Sequence, residues 1–181
     1  MPFKFEELEI PDVVLITPPR YEDSRGYFLE SYKRSEFVKN GISESFVQDN
    51  FSSSRKGVVR GLHYQVEPDA QGKLVSVVKG KIFDVAVDMR RESGTFGRWV
   101  SAILTADEHN MLWIPEGFAH GFQALENSEV SYKVTSEYSK SSESGVRWDD
   151  PLIGVEWPLT DTIVSPKDEQ LPNMREQRDL F

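Results

Sequence analysis

The segment GVVRGLHYQVEPDAQGK, positions 57–73, places Arg60, His63 and Lys73 close together in the chain. A guanidinium can grip an anion through two parallel hydrogen bonds. An imidazole can take a proton near neutral pH, and an ammonium can stabilise a negative charge as it develops. The trio therefore has the chemistry of a site that binds a phosphorylated substrate and moves protons on it. The same residues also fit a solvated basic hairpin carrying a structural histidine. The segment by itself does not separate the two readings.

Composition narrows the choice. The chain has 181 residues and a formal charge of -9, from 21 basic and 30 acidic side chains. Its length suits one domain, spanning residues 1–181. An acidic surface repels nucleic acid, so phosphate binding must come from a local cluster such as the one around Arg60. With no cysteine, disulfides, thiol catalysis and cysteine zinc sites are excluded. There is no signal-peptide pattern and no apolar run near the roughly 20 residues of a membrane span, so the expectation is a cytoplasmic protein with no membrane partner.

The elements that must position these residues read as strands. Around positions 81–90, Phe83, Val85, Val87 and Met89 alternate with Ile82, Asp84, Ala86 and Asp88, the period-two pattern of a strand. Lys79 and Gly80 before it suggest a turn pairing this strand antiparallel with 74–78. Further strand-like runs at 13–16, 27–32, 45–50, 58–62, 98–104, 111–114 and 130–135 are separated by Gly, Pro, Asn and Ser at short intervals. That spacing favours an all-β sandwich or barrel. A short helix is predicted over 35–40, with a Ser at its start and Gly41 as its C-terminal cap. The Ser-rich stretch 139–145 reads as a surface loop. From Pro166 onward the chain fits either a terminal helix or an arm.

Two motifs then add detail. PEGFAH, positions 115–120, has the PxGxxH spacing of the second cupin motif, and Gly57 followed by His63 resembles the opening of the first. This implies a cupin jelly roll with a few short peripheral helices. A metal-binding cupin expects His-x-His in motif one, whereas this chain has His63-Tyr64-Gln65, with Glu67 and Asp69 out of register for the acidic ligand. Two imidazoles without a placed carboxylate are a poor transition-metal site, so no metal is expected.

In order along the chain, DSRGYFLESY, FVQDN, GVVRGLHYQ, QGKLVSVVKGKIFDVAVDMR, IPEGFAHGF, YKVTSEY, WDDPLIGVEWP and SPKD closely resemble the dTDP-4-dehydrorhamnose 3,5-epimerase family. The resemblance covers nearly the whole chain. It implies inversion of dTDP-4-dehydro-6-deoxy-D-glucose at carbons 3 and 5, without any cofactor, on the way to dTDP-L-rhamnose. The alternatives are a single-site epimerase on a related ketodeoxysugar and a non-catalytic sugar-nucleotide-binding cupin. A ketone at carbon 4 acidifies both neighbouring C–H bonds, so a base on one face, an acid on the other and an enolate stabiliser suffice. By resemblance His63 is the base, Asp168 the carboxylate that pairs with it, Tyr132 the opposite-face acid, and Lys73 the enolate stabiliser. Substrate-binding positions carried over in the same way are Arg25, Glu30, Gln48, Asp49, Asn50, Arg60, Lys73, His120, Glu143 and Lys167. The resemblance also implies a homodimer in which the N-terminal strands, with Arg25, reach the neighbouring site. An aromatic residue stacking on the base is expected, without a residue being selected. Gly94 stands where the family commonly has Pro, and no catalytic role depends on it.

Overall fold

Strands whose two faces are both apolar must be covered on both sides, and this chain covers them by packing two antiparallel sheets against each other. In the computed structural model, which describes residues 2–181, the strands run β1 (Lys4–Glu7), β2 (Val14–Thr17), β3 (Arg20–Asp23), β4 (Gly26–Leu29), β5 (Gln48–Ser54), β6 (Val59–Gln65), β7 (Lys73–Lys79), β8 (Lys81–Asp88), β9 (Trp99–Thr105), β10 (Met111–Ile114), β11 (Phe118–Ala124), β12 (Ser128–Val134) and β13 (Glu143–Gly145). Helix α1 (Arg34–Lys39) lies between β4 and β5, and the one-turn α2 (Pro166–Glu169) lies near the C-terminus. One sheet has the order β1-β2-β10-β7-β12-β5, the other β13-β6-β11-β8-β9, while β3 and β4 form a separate hairpin. The architecture is the jelly roll the motifs imply.

The alternating positions sort cleanly into layers. Val75, Val77, Leu112, Ile114 and Val130 of the first sheet meet Ile82, Ala86, Leu104, Phe118 and Phe122 of the second in the central core. Odd-numbered residues of β8, Val85 and Val87, face outward beneath a C-terminal layer that includes Trp157, Met174 and Phe181. Leu74, Met111 and Trp113 face outward from the other sheet beneath Phe3, Phe37 and Ile42.

One pairing expectation is corrected. β7 and β8 do not form a hairpin: β7 pairs with β10 and β12, and β8 with β9 and β11. The chain turns a corner at Gly80 and passes from one sheet to the other. Gly80 has φ +78°, and a Cβ there would lie 2.5 Å from the Asn127 carbonyl oxygen, so the corner requires a residue without a side chain. Two strands that are each buried on both faces gain more from crossing between layers than from pairing side by side.

Smaller differences have local causes. Helix α1 starts at Arg34 and its N-cap Lys33 makes no side-chain cap, so Ser35 lies inside the first turn. Within the Ser-rich stretch, residues 143–145 form β13, because their backbone groups complete the edge of β6, with Glu143 opposite Gln65 and Gly145 opposite His63. Strands β1, β3 and β11 have no counterpart in the sequence reading. β11 is buried along its whole length and so shows no polar-apolar alternation. Among the described residues, no helix is long and apolar enough to cross a membrane.

Candidate active site

At one end of the sandwich the apolar filling gives way to polar side chains pointing inward from both sheets. β5 alternates so that Gln48, Asn50 and Ser52 are half-buried while Asp49, Phe51 and Ser53 are exposed. On β12, Tyr132 follows Val130 on the inward face and packs against the core. Lys73 opens β7 two residues before core Val75 and is buried. The second sheet contributes His63 from β6 and His120 from β11, directly opposite each other in register.

A bulge brings Arg60 and His63 to the same side. Arg60 pairs with Phe122 and His63 with His120, so β6 carries one residue more than β11 across this interval. Such an insertion re-aims side chains locally. It is possible here because Gly61 and Gly121 let the backbones touch: a Cβ on Gly121 would lie 2.7 Å from the Arg60 carbonyl oxygen and 3.1 Å from Gly61 Cα.

The resulting cleft has two adjoining lobes that share His63, Lys73 and Tyr132. One, of about 330 Å³, is lined by Gln48, Asn50, Gln65, Gln71, Tyr138 and Glu143 as well. The other, of about 300 Å³, adds Ser52, Arg60, His120, Ser165, Lys167 and Asp168. Its basic groups suit phosphate oxygens. The first lobe, rich in amides, suits hydroxyls or a base edge.

His63 Nε2 lies 2.8 Å from Asp168 Oδ1. A carboxylate only accepts, so the proton sits on Nε2 and the Nδ1 lone pair is left for the cleft. Asp168 is held by α2: Ser165 caps that turn by accepting from the Asp168 N–H at 3.1 Å, and Asp168 Oδ2 accepts from Gly61 N at 3.3 Å. Burial pushes the Asp168 carboxyl upward, but His63, the Gly61 N–H and Ser165 more than offset this and hold it below 3.8. Burial raises the Tyr132 phenol above 10.0, with Arg60 opposing, so it is a protonated donor at neutral pH. Lys73 Nζ donates to the His63 carbonyl oxygen at 3.0 Å. Burial lowers its pKa to about 8, against the pull of Asp84 and Glu143.

The remaining expected positions divide. Gln48 and Asn50 line the cleft, hydrogen-bonded to each other at 2.7 Å. Arg60 is steadied by Ser54 Oγ at 2.9 Å and the Ser53 carbonyl at 3.0 Å. Glu143 accepts from Lys167 Nζ at 2.6 Å and from the Tyr138 hydroxyl at 3.0 Å. His120 is buried, its Nε2 2.7 Å from Asp84 Oδ1. Three positions fall outside the cleft of this chain. Asp49 points to the opposite face of its sheet and pairs with Lys133 at 2.8 Å. Arg25 pairs with Asp23 at 2.6 Å in the turn of the β3-β4 hairpin. Glu30, 3.8 Å from Lys33, follows that hairpin. Gln65, Gln71, Ser52, Ser165 and Asp84 line or support the site without having been singled out from sequence. Only Asp84 carried a signal, as a charge on the inward face of an otherwise apolar strand. Among the described residues, no three His, Cys, Asp or Glu side chains are grouped to hold a metal ion.

Comparison with known proteins points to one family. The model of the dTDP-4-dehydrorhamnose 3,5-epimerase family matches residues 7–176. The chain is 52% identical over 162 residues to the dTDP-4-dehydrorhamnose 3,5-epimerase of Shigella flexneri, covering 88% of this chain and 90% of that one. The crystal structure of the corresponding Sulfolobus tokodaii enzyme superposes with a TM-score of 0.93 at 48% identity, covering 100% of both chains. The Legionella pneumophila dTDP-6-deoxy-D-glucose-3,5-epimerase, solved in complex with dTDP-4-keto-L-rhamnose, gives 0.92 at 44% identity over 96% of this chain and 94% of that one. A match that runs from the first strand almost to the C-terminus, in sequence and in fold alike, establishes that this chain belongs to the dTDP-4-dehydrorhamnose 3,5-epimerase family.

Proposed function

We propose that this epimerase inverts carbons 3 and 5 of dTDP-4-dehydro-6-deoxy-D-glucose to give dTDP-4-dehydro-L-rhamnose, on the route to dTDP-L-rhamnose, with His63 as base and Tyr132 as acid. The observation that carries the reading is that His63 and Tyr132 come from opposite sheets and border the same cleft. Inversion requires removal of a proton on one face of the sugar and its return on the other.

In each half of the reaction His63 Nδ1 takes the proton from carbon, and the C–H electron pair moves into an enolate on the carbon 4 oxygen. Asp168 keeps the imidazole oriented and stabilises the imidazolium. The Lys73 ammonium holds the enolate oxygen. Tyr132 then gives its proton to the opposite face. This leaves an imidazolium and a phenolate, which exchange protons through the open cleft before the second carbon reacts. Arg60 and Lys167 hold the diphosphate; Gln48, Asn50, His120 and Glu143 hold the remaining polar groups. Tyr138, half exposed at the mouth of the cleft, is the aromatic available to stack on the base.

The working unit in this reading is a cytoplasmic homodimer of single-domain chains. The β3-β4 hairpin, whose Phe28 is 66% exposed, carries Arg25 and leads to Glu30, and would supply both to the neighbouring site. NMR of dTDP-4-dehydro-6-deoxy-D-glucose in heavy water with the purified protein tests the reading. Deuterium should enter carbons 3 and 5 with formation of the L-lyxo ketosugar. Absence of exchange would refute catalysis, and inversion at carbon 3 alone would make the protein a single-site epimerase.

A further inference from the structure

Asp84 lies on the inward face of β8 with no exposed surface. Its Oδ1 accepts from His120 Nε2 at 2.7 Å. Among the described residues, its Oδ2 is the one buried carboxylate oxygen without a hydrogen-bond partner. A charged oxygen left bare in a protein interior is costly, and its field there is poorly screened. The group that can use this field is Lys73, which is buried, lines the same lobe of the cleft as His120 and lies within electrostatic reach of Asp84. Among the described residues, Lys73 Nζ has one hydrogen-bond acceptor, the His63 carbonyl.

The charged and titratable groups around Lys73 are Arg60, His63 and Tyr64 from β6, Asp84 from β8, His120 from β11, Tyr132 from β12, Tyr138 from the segment after it, Glu143 from β13, and Lys167 and Asp168 from α2. Three of these are carboxylates. Asp168 is engaged by His63 and the Gly61 N–H, and Glu143 by Lys167 and Tyr138. Asp84 alone keeps an oxygen uncommitted.

We propose that Asp84 is a positioning residue for the epimerase reaction: Oδ1 fixes His120 in the cleft wall, and the bare Oδ2 supplies the unscreened negative charge that keeps Lys73 an ammonium able to hold the enolate oxygen. The inference rests on the reading of Lys73 as enolate stabiliser.

Asp84→Asn tests it, since the amide keeps the shape and can still accept from His120 while the charge is gone. The Lys73 titration is followed in lysine-labelled protein through its 13Cε resonance, assigned by its loss in Lys73→Gln. Its midpoint should fall by about one pH unit or more. kcat at pH 7 should fall about twofold for a one-unit shift from about 8 and roughly tenfold for a two-unit shift, with KM changed little. A folded variant whose Lys73 midpoint stays in place overturns the proposal, because a merely structural Asp84 would lower stability without moving that midpoint. The NMR titration needs no substrate, so a shifted midpoint with unchanged kcat would identify the role of Lys73 as the failed premise and overturn the catalytic part. Should Asp84→Asn not fold, the Asp84 13Cγ resonance of the native chain decides the matter: an ionised carboxylate between about pH 6 and 9 supports the proposal, and a protonated one overturns it.

Discussion

His63 and Asp168 are separated by 105 positions in the chain and meet at 2.8 Å, Nε2 to Oδ1. The contact decides which imidazole nitrogen carries the proton and which is free to act as base. Asp168→Asn can keep a hydrogen bond to the ring but cannot stabilise the imidazolium. We expect a folded variant with kcat reduced by roughly 10²–10⁴ and KM little changed. Unchanged turnover would remove Asp168 from the mechanism.

Tyr132→Phe preserves the ring that packs against the central core and deletes only the acidic proton. Exchange and inversion should then separate: deuterium still enters through His63, while the inverted product forms roughly 10²–10⁴ times more slowly. Combined deuterium and stereochemical analysis by NMR distinguishes the two. Native-rate inversion by this variant would transfer the role to Tyr138 or to water.

Replacing Lys73 should trade activity for stability. Lowering its pKa from 10.5 to about 8 corresponds to about 3 kcal/mol against the folded ammonium, at about 1.4 kcal/mol per tenfold. The hydrogen bond to the His63 carbonyl offsets about 1 kcal/mol of that. Lys73→Met should therefore be about 1–3 kcal/mol more stable than the native chain at pH 7 in urea unfolding, with kcat lower by about 10²–10³. The folded pKa is depressed, so between about pH 8 and 10.5 the unfolded native chain binds more protons than the folded one. Native stability rises across that window and the advantage of Met shrinks. The activity of the native enzyme should decline above about pH 8, as the ammonium is lost.

Gly121→Ala tests the bulge that aligns Arg60 with His63. The added methyl would meet the Arg60 carbonyl oxygen at 2.7 Å and Leu62 Cδ2 at 2.9 Å, so β6 must move away from β11. We expect a stability loss of about 1–3 kcal/mol by denaturant titration, together with lower kcat. A variant as stable and as active as the native chain would show that the close approach is dispensable.

Much of this protein was readable before folding because its signals are local. Alternation over 81–90 reflects a strand covered on both faces, and the PxGxxH of PEGFAH marks a turn leading into a barrel strand. The eight family blocks carried His63, Lys73, Tyr132 and Asp168 by resemblance, not by any spacing among them. What needed the tertiary structure is what depends on contacts between distant segments. The partner of β7 is chosen by which sheet can cover each of its faces, a choice that lies outside 74–90 and runs across the Gly80 corner. The extra residue of β6 exists only relative to β11. Asp49 looked like its neighbours Gln48 and Asn50, but strand alternation turns it to the opposite face. Asp84 read as one more polar position on a strand; only the packed barrel encloses it beside His120 and within electrostatic reach of Lys73, where low polarity makes a single unpartnered oxygen matter.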